Sequence, residues 1–158
     1  MTPTPALRLT VPRKIETELK RLAKSAFDRE TFAFLLGTVA GDHVHVDELY
    51  SPENLLEYST TCAVRPQPEW WEDARDQARE SELHIVGWAH SHPYALHERP
   101  RGQLIMDHAQ SQADLDCGMP LLISAVCVVQ QVKHRGKVTL RASLRYWGVT
   151  VPVEVEYS

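Results

Sequence analysis

The sequence is short of several things, and each shortage excludes a class of protein. No apolar run approaches the ~20 residues that a membrane-spanning helix needs. The longest, Leu121 to Val129, is interrupted by Ser124. Met1 to Thr10 has neither an apolar core nor a small-residue cleavage pattern, so no signal peptide is expected. Three cysteines, Cys62, Cys117 and Cys127, cannot all pair within the chain. Their scatter gives neither a zinc spacing nor a secreted disulfide framework. Basic residues are not in excess: 17 lysines and arginines face 21 aspartates and glutamates, a formal charge of −4. Such a chain lacks the electrostatic footprint of a dedicated nucleic-acid binder. There is no internal repeat, low-complexity stretch or interdomain linker. The expectation is a cytoplasmic protein with reduced thiols, bound to neither nucleic acid nor membrane.

What is present fits one ordinary domain spanning residues 1–158, with 43% hydrophobic and 24% charged residues. The eight histidines and four tryptophans stand out. A helix is expected from about Pro12 to Phe27, with Ile15, Leu19, Leu22 and Ala26 on one face. Thr31 to Val39 reads as a buried strand, returning through the turn at Ala40-Gly41-Asp42 into His43 to Tyr50. Ser51 to Pro68 reads as loop. A second helix is expected over Glu69 to Glu82, with Trp71, Ala74 and Ala78 at helical spacing, then a strand over Leu83 to His92. Pro93 to Gly102 reads as loop and Gln103 to Asp116 as a third helix. Leu121 to Gln130 and Val138 to Trp147 form a hairpin about His134-Arg135-Gly136, and a last short strand runs from Val151 to Tyr157. Helices interspersed among mixed strands give an α/β layer fold.

The segment Val86-Gly87-Trp88-Ala89-His90-Ser91-His92-Pro93 carries the chemistry. Residues two apart in a strand face the same way, so His90 and His92 project side by side toward one point. Pro93 has no N–H for the ladder and ends it, placing the pair at a strand end. A bare His-x-His is more often a surface or satisfied pair, and His43 and His45, beside a turn with no third ligand, stay under that reading. A catalytic zinc takes three protein ligands and leaves one position for water. Ser111-Gln112-Ala113-Asp114 offers a candidate third ligand in Asp114, and on a helix Ser111 shares its face and is a candidate oxyanion donor. A carboxylate off the metal is needed to take the proton of a water acidified to a pKa of roughly 7. Glu30, just before the first apolar strand, is the best placed, although on composition alone it reads as part of the solvated Asp28-Arg29-Glu30 cluster.

The series Glu30 to Gly37 (ETFAFLLG), then Val86 to Pro93, then Ser111 to Asp114, resembles the JAMM metalloproteases of the MPN-domain family. That pattern is a glutamate opening a strand that ends in glycine, a His-Ser/Thr-His-Pro, and a Ser-x-x-Asp. Asn54 after Ser51-Pro52-Glu53 and the aromatic Trp88 match its flanks, and the similarity spans about residues 10 to 150. The resemblance implies an MPN-like curved mixed β-sheet flanked by about three helices, with cytidine-deaminase-like layering. It implies one catalytic Zn2+ held by His90, His92 and Asp114, with Glu30 as general acid/base and Ser111 as oxyanion donor. It also implies hydrolysis after the C-terminal glycine of a ubiquitin-like protein, freeing it from a target or trimming a C-terminal extension. A domain this small is similar to prokaryotic members, often companions of ubiquitin-activating or ubiquitin-conjugating-type enzymes encoded nearby.

The family usually puts seven residues between the second histidine and the serine, and at that spacing Pro100 and Gln103 would stand in the serine and aspartate places. Neither side chain does those jobs. An insertion within residues 93–110 accounts for the difference; the rival ligand Asp107 has Leu104 three residues before it and no hydroxyl. With His97, Glu98, Arg99, Arg101 and His108, the insertion reads equally as a substrate flap or an uninvolved surface loop. Cys117, one helical step beyond Asp114, reads as a small buried thiol, and Trp70 and Trp147 as core aromatics. Other His-x-His proteins fit less well. A metallo-β-lactamase needs aspartate where Tyr94 stands, and a zinc deaminase needs His-x-Glu with Pro-Cys-x-x-Cys. A cupin-like metal oxygenase finds Glu98 near its register but has no use for two amphipathic helices. A non-catalytic MPN-type protein-binding scaffold is the remaining alternative.

Overall fold

The computed structural model describes residues 7–93, 97–99, 103–105, 123–148 and 153–158. Leu7–Val11 (β1) leads through Pro12 into the helix Arg13–Ser25 (α1). Ile15, Leu19 and Ala23 are its buried positions, each four residues from the last, so one face of α1 lies on the sheet. Phe32–Ala40 (β2) and His43–Tyr50 (β3) form the expected antiparallel hairpin. The helix Pro68–Glu80 (α2) starts on a proline, which suits the first turn, and buries Trp70, Ala74 and Ala78. It is Trp70, not Trp71, that enters the core. Trp71 is half-buried and packs edge-on to Phe34, ring centroids 5.7 Å apart.

His84–His92 (β4) lies antiparallel to β2 and parallel to Ile123–His134 (β7). Lys137–Gly148 (β8) returns antiparallel to β7 through Arg135 and Gly136, both at positive φ, the backbone a two-residue hairpin turn requires. Val153–Tyr157 (β9) pairs parallel to β1. The seven strands follow the order β8-β7-β4-β2-β3-β1-β9 in one mixed, curved sheet. The curve nearly closes it into a barrel, for the Tyr157 hydroxyl on one outer strand donates to the Leu144 carbonyl on the other, at 3.4 Å.

Each sheet face carries its own apolar layer. Ala33, Leu35, Ala89, Ala125 and Cys127 meet Ile15, Leu19 and Ala23 of α1. Phe32, Phe34, Leu36 and Trp88 meet Trp70, Ala74 and Ala78 of α2. β2 and β4 are therefore covered on both sides, which explains why they read as near-continuous apolar runs. Gly87 lets β4 and β7 come together: a Cβ there would stand 2.5 Å from the Ile123 carbonyl oxygen.

Three local departures follow from loop-like composition. The 51–68 segment contains a 3-10 turn at Leu55–Tyr58 and a bridge between Ser59 and Val64. The 93–102 segment contains the strand His97–Arg99 (β5), which pairs with Gln103–Ile105 (β6) in a separate small ladder. Gln103–Ile105 is therefore strand, where the sequence suggested the start of a helix. Ladder pairing with β5 overrides helical spacing there, and the rest of that helix lies outside the described residues. No helix among the described residues is long and apolar enough to cross a membrane.

Candidate metal centre

β4 brings Trp88, His90 and His92 onto the α2 face of the sheet and ends there. The His90 ring stacks on Trp88, centroids 4.7 Å apart and planes 20° from parallel, and Trp88 stacks in turn on Phe32 at 5.4 Å. These aromatics fix the azimuth of the first imidazole. The second meets it edge-on, so that the two Nε2 atoms stand 2.9 Å apart. Both histidines are buried, at 4% and 3% exposure.

Glu30 reaches the same place from the loop between α1 and β2 and is 5% exposed. One ligand-type atom from each of Glu30, His90 and His92 lies within 4.8 Å of the others. Two ring nitrogens and a carboxylate facing one point, away from water, match the donor chemistry of zinc. Tetrahedral bonds of ~2.0–2.1 Å space two nitrogens roughly 3.3–3.4 Å apart. The observed pair is a few tenths of an ångström closer, a difference that small ring rotations supply.

The backbone around Glu30 is held from two sides. Its N–H donates to the Thr60 carbonyl at 2.8 Å, and the Ser59 hydroxyl donates to its carbonyl. Arg29 ties the same loop down, donating to the carbonyls of Leu56 and Ser59 at 3.0 and 3.3 Å. On the other side Thr31 and Ser91 bond to each other, Ser91 being wholly buried between the two histidines. The carboxylate is thereby set against the imidazoles by residues on three different segments.

Of the five site residues expected from sequence, Glu30, His90 and His92 come together. Asp114 and Ser111 lie outside the described residues, as do Asp107, His108 and Cys117. His43 and His45 lie on β3 and do not join the cluster; His43 Nε2 is 2.6 Å from Thr10 Oγ1 and His45 pairs with Asp47. Sequence reasoning missed Thr31, Ser59 and Thr60, whose parts depend on contacts about 30 to 60 residues away in the chain. Asn54 has a structural task that its flanking motif did not reveal: its Oδ1 accepts from the Trp70 indole N–H at 2.8 Å.

Layering and cluster together define a mixed α/β domain with a candidate metal triad at the end of a central strand. Residues 12–100 match the model of the prokaryotic homologs of the JAB domain, and the chain belongs to that family. Glu30, His90 and His92 fall inside the match; positions 111 and 114 lie beyond it. The solution structure of protein DSY2949 from Desulfitobacterium hafniense is similar, with TM-score 0.60 and 16% identity over 95% of this chain and 94% of that one. A solution structure from Salinibacter ruber gives TM-score 0.50 and 21% identity, covering 88% of this chain and 80% of that one. The crystal structure of AF2198, a JAB1/MPN domain protein from Archaeoglobus fulgidus, gives 0.49 and 16% over 98% and 99%. At these identities the likeness concerns the fold alone. None of the curated proteins matches.

Proposed function

We propose that this protein is a zinc-dependent peptidase or isopeptidase, cutting after the C-terminal glycine of a ubiquitin-like protein. The observation that carries the reading is the convergence of Glu30, His90 and His92 in a buried cluster within a JAB-family domain. His90 and His92 would hold the metal, with Asp114 as third ligand. Bound zinc would supply a water acidic enough to ionise near neutral pH. Glu30 is close enough to be a donor itself, but with Asp114 in the third place its carboxylate would stay off the metal, take that proton and pass it to the leaving amine. Ser111 would donate to the oxygen on which charge develops. An extended, glycine-ending tail suits such a site, since main-chain hydrogen bonds recognise it with little side-chain detail.

The test is Glu30→Gln, which keeps shape and polarity and removes the proton acceptor. Zinc content by elemental analysis should match wild type. Cleavage of a glycine-ending ubiquitin-like protein fused to a short C-terminal extension should fall by at least about a hundredfold, as expected for loss of general-base catalysis. Unchanged cleavage, or activity indifferent to chelators, would sink the hydrolase reading. Zinc binding by wild type without any cleavage would point to a protein-binding scaffold.

A further inference from the structure

β7 and β8 run on past the rest of the sheet. β4 pairs with β7 only as far as His92 opposite Val128, whereas β7 and β8 stay paired to His134 opposite Lys137. The far end of this ribbon therefore stands roughly 20 Å beyond the histidine end of β4, at about 3.4 Å per residue. β8 is an outermost strand.

In an antiparallel ladder, the N–H and C=O of one residue point to the same side, toward the partner strand and away from it in alternation. The Leu144 carbonyl points away from β7, for it receives the Tyr157 hydroxyl. By alternation, Val138, Leu140 and Ala142 also turn their backbone groups outward, and among the described residues no strand pairs with them. The side chains between them, on Lys137, Arg141 and Arg145, project on the sheet face of the histidines, because His90, Val126 and Arg145 form one cross-strand row. All three cations are exposed, as is Arg135 in the turn. None of the four is in an ion pair among the described residues.

We propose that the outer edge of β8, from Lys137 to Ala142, docks an extended acidic segment of a partner protein as an added strand, with Arg145 beside the end where Tyr157 closes on Leu144. An open edge invites pairing, and cations along it discourage pairing with a second copy. Two copies joined edge to edge about a two-fold axis would set Lys137, Arg141 and Arg145 of one beside those of the other. An acidic segment satisfies both demands at once: its backbone completes the ladder and its carboxylates meet the ammonium and guanidinium groups. On the opposite face Val138, 51% exposed, offers an apolar contact for the alternate side chains. The chain carries a net charge of −4, so this strip attracts an anionic segment while the molecule as a whole does not. The inference does not depend on the hydrolase reading.

The experiment is a fluorescence-anisotropy titration of the protein against a labelled decapeptide of alternating threonine and glutamate. Saturable binding is expected, weakened by added salt and weakened at least about tenfold by Arg141→Glu or Arg145→Glu. Lys14→Glu, on the exposed side of α1, should leave binding unchanged. The same peptide N-methylated at alternate residues keeps its charge and loses its ladder donors, and should bind about tenfold more weakly. A threonine–lysine peptide should not bind. Equal binding by wild type and the two β8 variants would overturn the proposal, as would equal binding of the N-methylated peptide. Self-association abolished by Arg141→Glu would overturn it too, by making a second copy the occupant. Glu30→Gln should bind the peptide like wild type whether or not the protein turns over a substrate, which separates this result from the catalytic one.

Discussion

Thr31 and Ser91 are joined by three hydrogen bonds: the Thr31 N–H and hydroxyl reach Ser91 Oγ at 2.7 and 3.0 Å, and the Ser91 N–H donates to the Thr31 carbonyl at 3.1 Å. One partner follows Glu30 and the other separates His90 from His92. The clasp therefore fixes the distance between the carboxylate and the imidazoles, which come from segments some 60 residues apart.

Ser91→Ala removes the acceptor and leaves a buried Thr31 N–H unsatisfied, a loss of about 1–3 kcal/mol. The urea midpoint should fall at unchanged slope. Under the catalytic reading, turnover should fall while zinc content holds, because the ligands remain and only the position of Glu30 relaxes. Ser91→Thr keeps the oxygen and should recover most of both. A Ser91→Ala protein with wild-type midpoint and turnover would show that the clasp positions nothing.

Gly87→Ala puts a methyl carbon 2.5 Å from the Ile123 carbonyl and 2.7 Å from the Ile123 Cβ. Neither can move without parting β4 from β7. Overpacking of this kind costs about 1–3 kcal/mol or more. Thermal melting should show the loss, and metal affinity should weaken with it, since the histidines ride on the same strand. A melting temperature equal to wild type would mean the strands part freely.

Much of this was legible because apolar pattern and breaker residues are local signals. Ile15, Leu19 and the alternation through β3 announced their elements, and Pro93 announced the strand end that holds the histidines. Trp70 reads as a core aromatic and is one, at 2% exposure, but helical spacing also offers Trp71 to the same layer, and only the phase of the helix separates the adjacent pair. The β5–β6 ladder was missed because its polar residues sit beside prolines and glycine, where only pairing with each other makes them strand. Thr60 bonds to Glu30 through its backbone carbonyl, which no residue type advertises, and Ser59 through a hydroxyl whose partner lies 29 residues away in the chain.

The third ligand is a matter of choosing between two aspartates. Asp114 has a hydroxyl three residues before it and Asp107 has Leu104 there. Asp114→Asn should lower zinc occupancy by ten- to a hundredfold in affinity or more, the scale of losses at metal ligands and their supports. Asp107→Asn should retain zinc. Competition with a fluorescent chelator measures both. The reverse result would move the ligand to Asp107 and shorten the insertion.

Cys127 predicts how the fold responds to alkali. It is 2% exposed, and burial pushes its thiol from 9.0 up to about 12. A group whose pKa is raised by folding stabilises the native state fully below its unfolded value and loses that contribution as pH climbs toward the folded one. Below pH 9 both states hold the proton; between about 9 and 12 the unfolded chain releases it first. Stability should therefore fall through that window with a slope of at most about 1.4 kcal/mol per pH unit from this group. Buried Tyr146, raised in the same direction by desolvation, adds its share only above its ordinary value of 10.0. The interval from pH 9 to 10 is thus the place to isolate the thiol. Cys127→Ala should flatten the pH dependence of the urea midpoint there, at the cost of a small cavity that lowers the midpoint at every pH. Exposed Cys62 serves as the internal contrast, reacting with a thiol reagent in the native protein while Cys127 reacts only on unfolding. A slope unchanged by Cys127→Ala would show that the thiol ionises alike in both states and that the α1 face of the sheet admits water.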